Sequence, residues 1–271
     1  MPELPEVETT VRGIAPHISN QRISDVVVRQ TKLRYPVPDI LHTTLRRQIL
    51  TSVSRRAKYL LLHFENGTMI IHLGMSGSLR ILTSDQGPGK HDHVDLIFEN
   101  GKILRYRDPR RFGMIDWTDQ SPESYHLLSK LGPEPFDVDF NGGYLFQLSR
   151  KRSIPVKQLV MDNHVVVGVG NIYASESLFL SGIRPGRRAN RVTQTEFDTL
   201  ARNIVQVLQQ AITQGGTTLK DFTNSDGRPG YFAQSLNVYG RAGEPCTTCG
   251  SEIKSKTIAQ RNSFYCPRCQ T

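Results

Sequence analysis

At 271 residues, with a formal net charge of +9 and a pI near 9.5, the chain exceeds the usual size of one compact domain and suits a polyanionic partner, nucleic acid or an anionic membrane. No stretch reaches the roughly 18 to 20 apolar residues that span a bilayer, and three glutamates among the first ten residues are the reverse of a secretory leader. A cytosolic location is expected, where reducing conditions favour metal binding over disulfides.

The chain opens "MPELPEVETT". Removal of Met1 leaves Pro2 with a free secondary amine, whose α-amino character gives a pKa of about 7.7 to 8.0, so that roughly a tenth is unprotonated at neutral pH. Such an amine attacks a sugar aldehyde carbon to give an iminium, an electron sink that permits elimination. Glu3 beside it can move protons. The bland alternative is a position-2 proline that means only methionine removal. Pro5 suits the first position of a helix, and Val7, Val11 and Ile14 recur on one helical face. Glu6 supports either that helix or the proton network.

From residue 22 to about 117 the pattern is strand-like: "RISDVVV", "YLLLHF", "TMIIHL", "HVDLIF" and "KILRYR". Two hairpins are expected to turn at Asn66-Gly67 and Asn100-Gly101, the dipeptide favoured by type I′ turns. Lys58 reads either as a strand-edge lysine that blunts aggregation or as an ammonium at the rim of an active site. In "HLGMSGSL" Met75 stands among small residues and can project from a loop, while "YRDPRRFG" places Arg110 and Phe112 around an Asp-Pro turn. An apolar wedge and an arginine on neighbouring loops can enter a duplex and fill the gap left by an extruded base, although each alone is more often packing or surface.

Residues 118–153 turn polar and rich in Pro and Gly, as a linker does. Beyond them, "VKQLVMDN" and "NIYASESLFLSG" read as short helices joined by "HVVVGVG", with Asn171 placed to cap the second. That helix start is either a phosphate site or an ordinary cap. The capping box Thr193-Gln194-Thr195-Glu196 begins a long helix that stops at Gly215-Gly216. All four cysteines follow, as Cys246-x2-Cys249-x16-Cys266-x2-Cys269, the spacing of a ribbon around one tetrahedral Zn²⁺ with a structural role. Arg261, in the segment between the cysteine pairs, is either solvated surface or a phosphate contact.

Taken together, "PELPEVET", "LGMSG", "DPRRFG", "GVGNIYASE", "DGRPGYFAQSLNVYGR" and "AQRNSFYCPRCQ" closely resemble the bacterial formamidopyrimidine-DNA glycosylase family, from residue 2 to residue 270. The resemblance implies a bifunctional glycosylase/lyase of base-excision repair. Such an enzyme removes 8-oxoguanine and formamidopyrimidines from duplex DNA through a proline Schiff base, then cleaves the abasic site by β,δ-elimination. It implies Pro2 as nucleophile and Glu3 as its acid/base partner. Lys58 becomes a proton donor and phosphate contact, and Arg261 is carried over to both the catalytic and the DNA-binding sets. Met75, Arg110 and Phe112 become the void-filling wedge, with Arg110 facing the orphaned base. Asn171 and Arg261 grip phosphates, and His72, His91, Lys157 and Tyr173 join the DNA contacts. The loop around 217–237 is expected to cover the everted base.

The implied fold is α+β: an N-terminal catalytic β-sandwich with flanking helices (1–130), a linker (131–153), a helical domain with a helix-two-turns-helix element (154–240) and the zinc ribbon (241–271). Duplex DNA carrying oxidised purines or abasic sites is the expected partner, with no membrane, and a monomer is expected. The rival readings are an endonuclease VIII-like enzyme for oxidised pyrimidines and a non-catalytic zinc-ribbon DNA-binding protein.

Overall fold

The computed structural model describes residues 2–83, 86–216 and 236–271. They fall into two compact units, residues 2–129 with 214–216, and residues 130–213 with 236–271. No helix among the described residues is long and apolar enough to cross a membrane. The segment expected to cover an everted base, apart from its last two residues, lies outside the described residues.

In the first unit, helix α1 (Leu4–Ile18) buries Leu4, Val7, Val11, Ile14 and Ile18 along one face. Each fully buried aliphatic side chain is worth about 1.5–3 kcal/mol. Glu3 is the N-cap, so Pro5 occupies the second helical position, one place later than the sequence pattern suggests. A short helix α2 (Leu41–Leu45) buries Leu41 and Leu45, and the strands are β1 (Gln21–Val28), β2 (Ile49–Arg56), β3 (Tyr59–Phe64), β4 (Gly67–His72), β5 (Ser78–Thr83), β6 (Asp92–Phe98), β7 (Lys102–Arg107) and β8 (Met114–Thr118). They pair throughout as antiparallel neighbours in the order β5-β7-β6-β1-β2-β3-β4-β8.

Strand β1 is shared between the two halves: Gln21 and Arg22 pair with β2, and from Ile23 onward the strand pairs with β6, with an irregularity between Ile23 and Asp25. A bulge bends and twists a strand, so the ladder becomes a sandwich. Leu60, Leu62 and Ile71 from one half meet Leu96, Phe98 and Tyr106 from the other, with α1, in one core.

Three strands escape the sequence pattern: β2, β5 and β8. In β2 only Leu50 is fully buried, Ile49 is exposed and the other positions are polar or half-covered, which erases the alternation that marks a strand. The two Asn-Gly hairpins also differ from expectation. Glu65-Asn66 form the first turn and Gly67 already pairs with Phe64. The second is a three-residue loop, with Gly101 N–H donating to the Phe98 carbonyl (3.0 Å) and Gly101 at φ +78°. Asn66 and Asn100 keep negative φ, so neither turn is type I′. Gly67 is required for a different reason: a β-carbon there would lie 2.4 Å from the Thr118 carbonyl oxygen.

In the second unit the segment read as a linker carries helix α3 (Gly142–Ser149), capped by the Asn141 side chain on Tyr144 N–H. It packs so closely on α6 (Gln194–Thr213) that a β-carbon on Gly142 would strike Asp198. The capping box of α6 forms as expected: Thr193 N–H donates to Glu196 Oε2 (2.8 Å) and Glu196 N–H to Thr193 Oγ1 (3.3 Å). Helices α4 (Val156–Val160) and α5 (Asn171–Leu180) lie where the sequence places them. The ribbon hairpin is β9 (Lys254–Ile258) and β10 (Arg261–Tyr265). Its core joins Phe179 of α5 to Val238, Ile253, Phe264 and two of the cysteines.

Candidate active site

In the first unit the polar groups gather where the chain starts. Pro2 and Glu3 are buried, and Glu6, also buried, accepts a hydrogen bond from Glu3 N–H (2.8 Å). This carboxylate at the third helical position fixes the backbone one residue after the Pro2 ring and places negative charge at the positive end of α1. Glu6 therefore supports the helix start. Gly216 abuts it, since a β-carbon there would approach Glu6 Oε1 to 3.2 Å. Two residues beyond Glu6, Glu8 accepts from Arg55 Nε of β2 (2.8 Å), which fastens α1 to the hairpin that carries Lys58.

Lys58 neither opens a strand nor guards an edge. It forms, with Ala57, the two-residue turn between β2 and β3, and Ala57 adopts φ +54° while 2% exposed. A left-handed alanine costs about 1–2 kcal/mol, and such strain concentrates where a side chain must be aimed. Lys58 is itself buried, near enough to His72 for its charge to act there. Burial first, then the charges of Lys58 and Arg34, push the His72 pKa down to about 4. His72 Nδ1 accepts from Gly74 N–H (3.0 Å), so the neutral ring carries its proton on Nε2 and can donate it.

Two loops project beyond this cluster. Met75 is 38% exposed on the β4–β5 loop, and Phe112 is 47% exposed on the β7–β8 loop. The Arg110 guanidinium lies 4.9 Å from the Phe112 ring centroid. The expected Asp-Pro turn is present, with Arg111 N–H donating to the Asp108 carbonyl (3.3 Å). His91 is half-buried and its carbonyl accepts from Asp108 N–H (3.0 Å), which seats it beside the same loop. The sequence pattern marks the exposed members of these loops, whereas Ser76, Tyr106 and Asp108 stand out in the folded structure. Ser76 beside Gly77 in one motif and Asp108 at the start of the other were the available signal.

The second unit holds a separate cluster. Lys157, 1% exposed, donates from Nζ to Asn171 Oδ1 (2.6 Å), Ser263 Oγ (2.7 Å) and the Asn262 carbonyl (3.4 Å). Asn171 Nδ2 donates to the same Asn262 carbonyl (3.0 Å). An ammonium has three protons, and these bonds engage them, so Lys157 joins α4, α5 and the ribbon hairpin. Asn171 is the first residue of α5, and the cap is Gly170. The asparagine side chain reaches across to the hairpin and does not close its own helix. Tyr173 is fully buried in the core, so only its backbone is placed to meet a ligand. Arg261, by contrast, is exposed. It follows a two-residue turn whose members, Ala259 and Gln260, both have positive φ.

The four cysteine sulfurs lie within 4.8 Å of one another. Cys246 and Cys269 are 3.9 Å apart, Cys249 and Cys266 3.5 Å, and none is joined in a disulfide. Thiolates at about 2.3 Å from a tetrahedral Zn²⁺ are separated by about 3.8 Å, so the donor set fits one zinc ion. Four sulfurs close its shell, which confines the metal to a structural role.

Comparisons with known proteins agree along the whole chain. Residues 1–115 match the formamidopyrimidine-DNA glycosylase N-terminal domain, residues 131–223 the H2TH domain of the same enzymes, and residues 243–271 the zinc finger found in FPG and IleRS. A protein of Alkalilimnicola ehrlichii named formamidopyrimidine-DNA glycosylase is 56% identical over 276 residues, covering all of both chains. A point mutant of Lactococcus lactis FPG, solved with Fapy-dG-containing DNA, superposes with a TM-score of 0.92 at 34% identity over all of both chains. The Lactococcus lactis Fpg complex with abasic-site DNA gives 0.90 at 34% identity over 99% of each. With three consecutive domain matches and full-length identity of this order, the chain belongs to the formamidopyrimidine-DNA glycosylase family.

Proposed function

We propose that this protein excises oxidised purines, 8-oxoguanine and formamidopyrimidines, from duplex DNA and then cleaves the resulting abasic site, with Pro2 as nucleophile once Met1 is removed. The observation that supports this most directly is the start of α1, where Glu6 holds Glu3 N–H one residue from the proline ring, in a chain 56% identical to a named formamidopyrimidine-DNA glycosylase.

In the reaction, the Pro2 nitrogen forms a bond to C1′ while the C1′–N bond to the base breaks, the electron pair leaving with the base, which takes up a proton. Opening of the sugar ring gives an iminium. Loss of a C2′ proton expels the 3′ phosphate, and a second elimination expels the 5′ phosphate. Glu3 moves protons at the sugar, and Lys58 and Arg261 serve the eliminations and the phosphates. His72 donates a neutral hydrogen bond to a phosphate oxygen. Met75, Arg110 and Phe112 occupy the space of the extruded nucleotide, with Arg110 towards the orphaned base. Asn171 contributes a phosphate contact and Lys157 orients it. His91 lies beside the wedge and assists its contact with DNA. Zn²⁺ maintains the ribbon. The protein works in the cytoplasm as a monomer.

Borohydride reduction on abasic duplex tests the chemistry. The processed protein should be trapped covalently, and a version with two extra residues ahead of Pro2 should bind the duplex yet give no adduct. No adduct with the processed protein would leave the non-catalytic DNA-binding reading. Paired excision assays on 8-oxoguanine and thymine glycol duplexes test the lesion class. Marked preference for thymine glycol would transfer the protein to the endonuclease VIII-like reading.

A further inference from the structure

Asp108 is fully buried and all its donors are neutral groups. Its Oδ1 accepts from Ser76 Oγ–H (2.7 Å) and Arg110 N–H (3.2 Å), and its Oδ2 from Gly113 N–H (2.8 Å) and the Tyr106 hydroxyl (3.1 Å). Burial, reinforced by the charge of Asp108, raises the Tyr106 pKa, which keeps that hydroxyl a donor. Ser76 Oγ in turn accepts from Arg110 N–H (3.2 Å), and the Asp108 carbonyl meets His93 Nε2 (2.7 Å). A buried carboxylate is tolerated only when its oxygens are fully hydrogen-bonded, and here the donors come from strand β7, from its own loop and from Ser76 on a second loop, 32 residues away in sequence.

Backbone packing reinforces the link. A β-carbon on Gly74 would lie 2.4 Å from the Phe112 carbonyl carbon, and one on Gly113 would lie 2.7 Å from the His72 carbonyl oxygen. Ser76 directly follows Met75, and Asp108 begins the turn that presents Arg110 and Phe112. The three exposed side chains thus stand on a single polar bracket beneath them.

We propose that Asp108 and Ser76 are positioning residues that lock the Met75 loop and the Arg110–Phe112 loop into one rigid wedge before DNA is met. The role rests on the reading of this site as a base-extruding glycosylase. A wedge ordered in advance has already lost the loop entropy that insertion would otherwise cost. Extrusion of a stacked, paired base is where that saving counts, whereas a preformed abasic site leaves no base to displace. The bracket should therefore matter more for lesion excision than for strand cleavage at an abasic site.

Three variants separate this role from general stabilisation. Ser76→Ala removes the donor that ties the first loop to Asp108, and Asp108→Asn replaces one acceptor with a donor facing other donors. Tyr106→Phe removes a donor to the same carboxylate from the β7 side and leaves the loop-to-loop bond intact. Single-turnover rates on an 8-oxoguanine duplex and on a preformed abasic duplex are compared with thermal midpoints. For Ser76→Ala, excision should fall about tenfold more than abasic-site cleavage, the scale of one buried hydrogen bond. Asp108→Asn should move the same ratio further. Tyr106→Phe should lower the midpoint while the two rates fall in parallel. Parallel loss in Ser76→Ala, or no loss, overturns the bracket. If the unaltered protein neither excises 8-oxoguanine nor forms a borohydride adduct, it is the glycosylase reading that fails.

Discussion

Two lysines, one in each unit, look interchangeable in composition and are used in opposite ways. Lys58 sits on a strained two-residue turn and bears on the neutral His72 ring. Lys157 spends its ammonium on Asn171, Ser263 and Asn262. The first unit carries its exposed groups on loops between non-adjacent strands and stiffens them with hydrogen bonds from below. The second ties two helices and a hairpin together through one buried cation and leaves Asn171 and Arg261 nearer the surface. A basic side chain in a DNA-binding protein is thus assigned by where its protons go, whatever the net charge.

The largest effect that sharpens this contrast is loss of zinc. Cys266→Ser, or chelation, should unfold the ribbon and with it the placement of Arg261, Asn262 and Ser263, since structural zinc supplies on the order of 10 kcal/mol of folding free energy in isolated fingers. Zinc content and duplex affinity should fall together, while the near-ultraviolet signal of Trp117, which packs on the first unit's core, persists. Loss of that signal would show that the units do not differ in this way.

Lys157→Met should cost about 3 kcal/mol by leaving Asn171 Oδ1 and Ser263 Oγ short of a donor. It should weaken DNA binding without changing the dependence on salt, because no phosphate contact is removed. Arg261→Gln should lower the slope of log K against log salt by about one contact. A similar drop in slope for Lys157→Met would mean that Lys157 meets phosphate directly and would erase the distinction between the two lysines.

The smallest effect concerns His72. Its pKa falls from 6.5 to about 4 in the folded protein, so the unfolded chain binds more protons between those values. Stability from this group is complete above pH 6.5 and declines as pH falls towards 4, by about 2 kcal/mol at pH 5. His72→Gln keeps an acceptor for Gly74 N–H and cannot titrate. Denaturant midpoints measured from pH 7 to 5 should therefore fall less steeply in the variant, and equal slopes would remove the case for a ring held neutral.

Much of the site was legible as short motifs. The cysteine spacing, the capping box at Thr193–Glu196 and the exposed Met75 and Phe112 each depend on neighbours a few residues away, where covalent geometry and helical period leave few choices. The α1 face was equally plain from Val7, Val11 and Ile14. The polar strand β2, the helix inside the supposed linker and the true form of both Asn-Gly turns were not, because partner strands and close helix contacts decide them.

By itself, then, the sequence determined which residue types stood ready: a proline at position 2 beside glutamates, a methionine and a phenylalanine set among loop residues, four cysteines at zinc-ribbon spacing and a basic composition. Tertiary structure alone decided that Lys58 is a turn residue, that Lys157 and Tyr173 are buried and that Asp108 bridges two loops. Ser76 and Asp108 are 32 residues apart and Lys157 and Ser263 are 106 apart. Hydrogen bonds over such separations exist only after the ladder and the helices have packed, and burial then determines whether a charged group meets solvent or is held by its own chain.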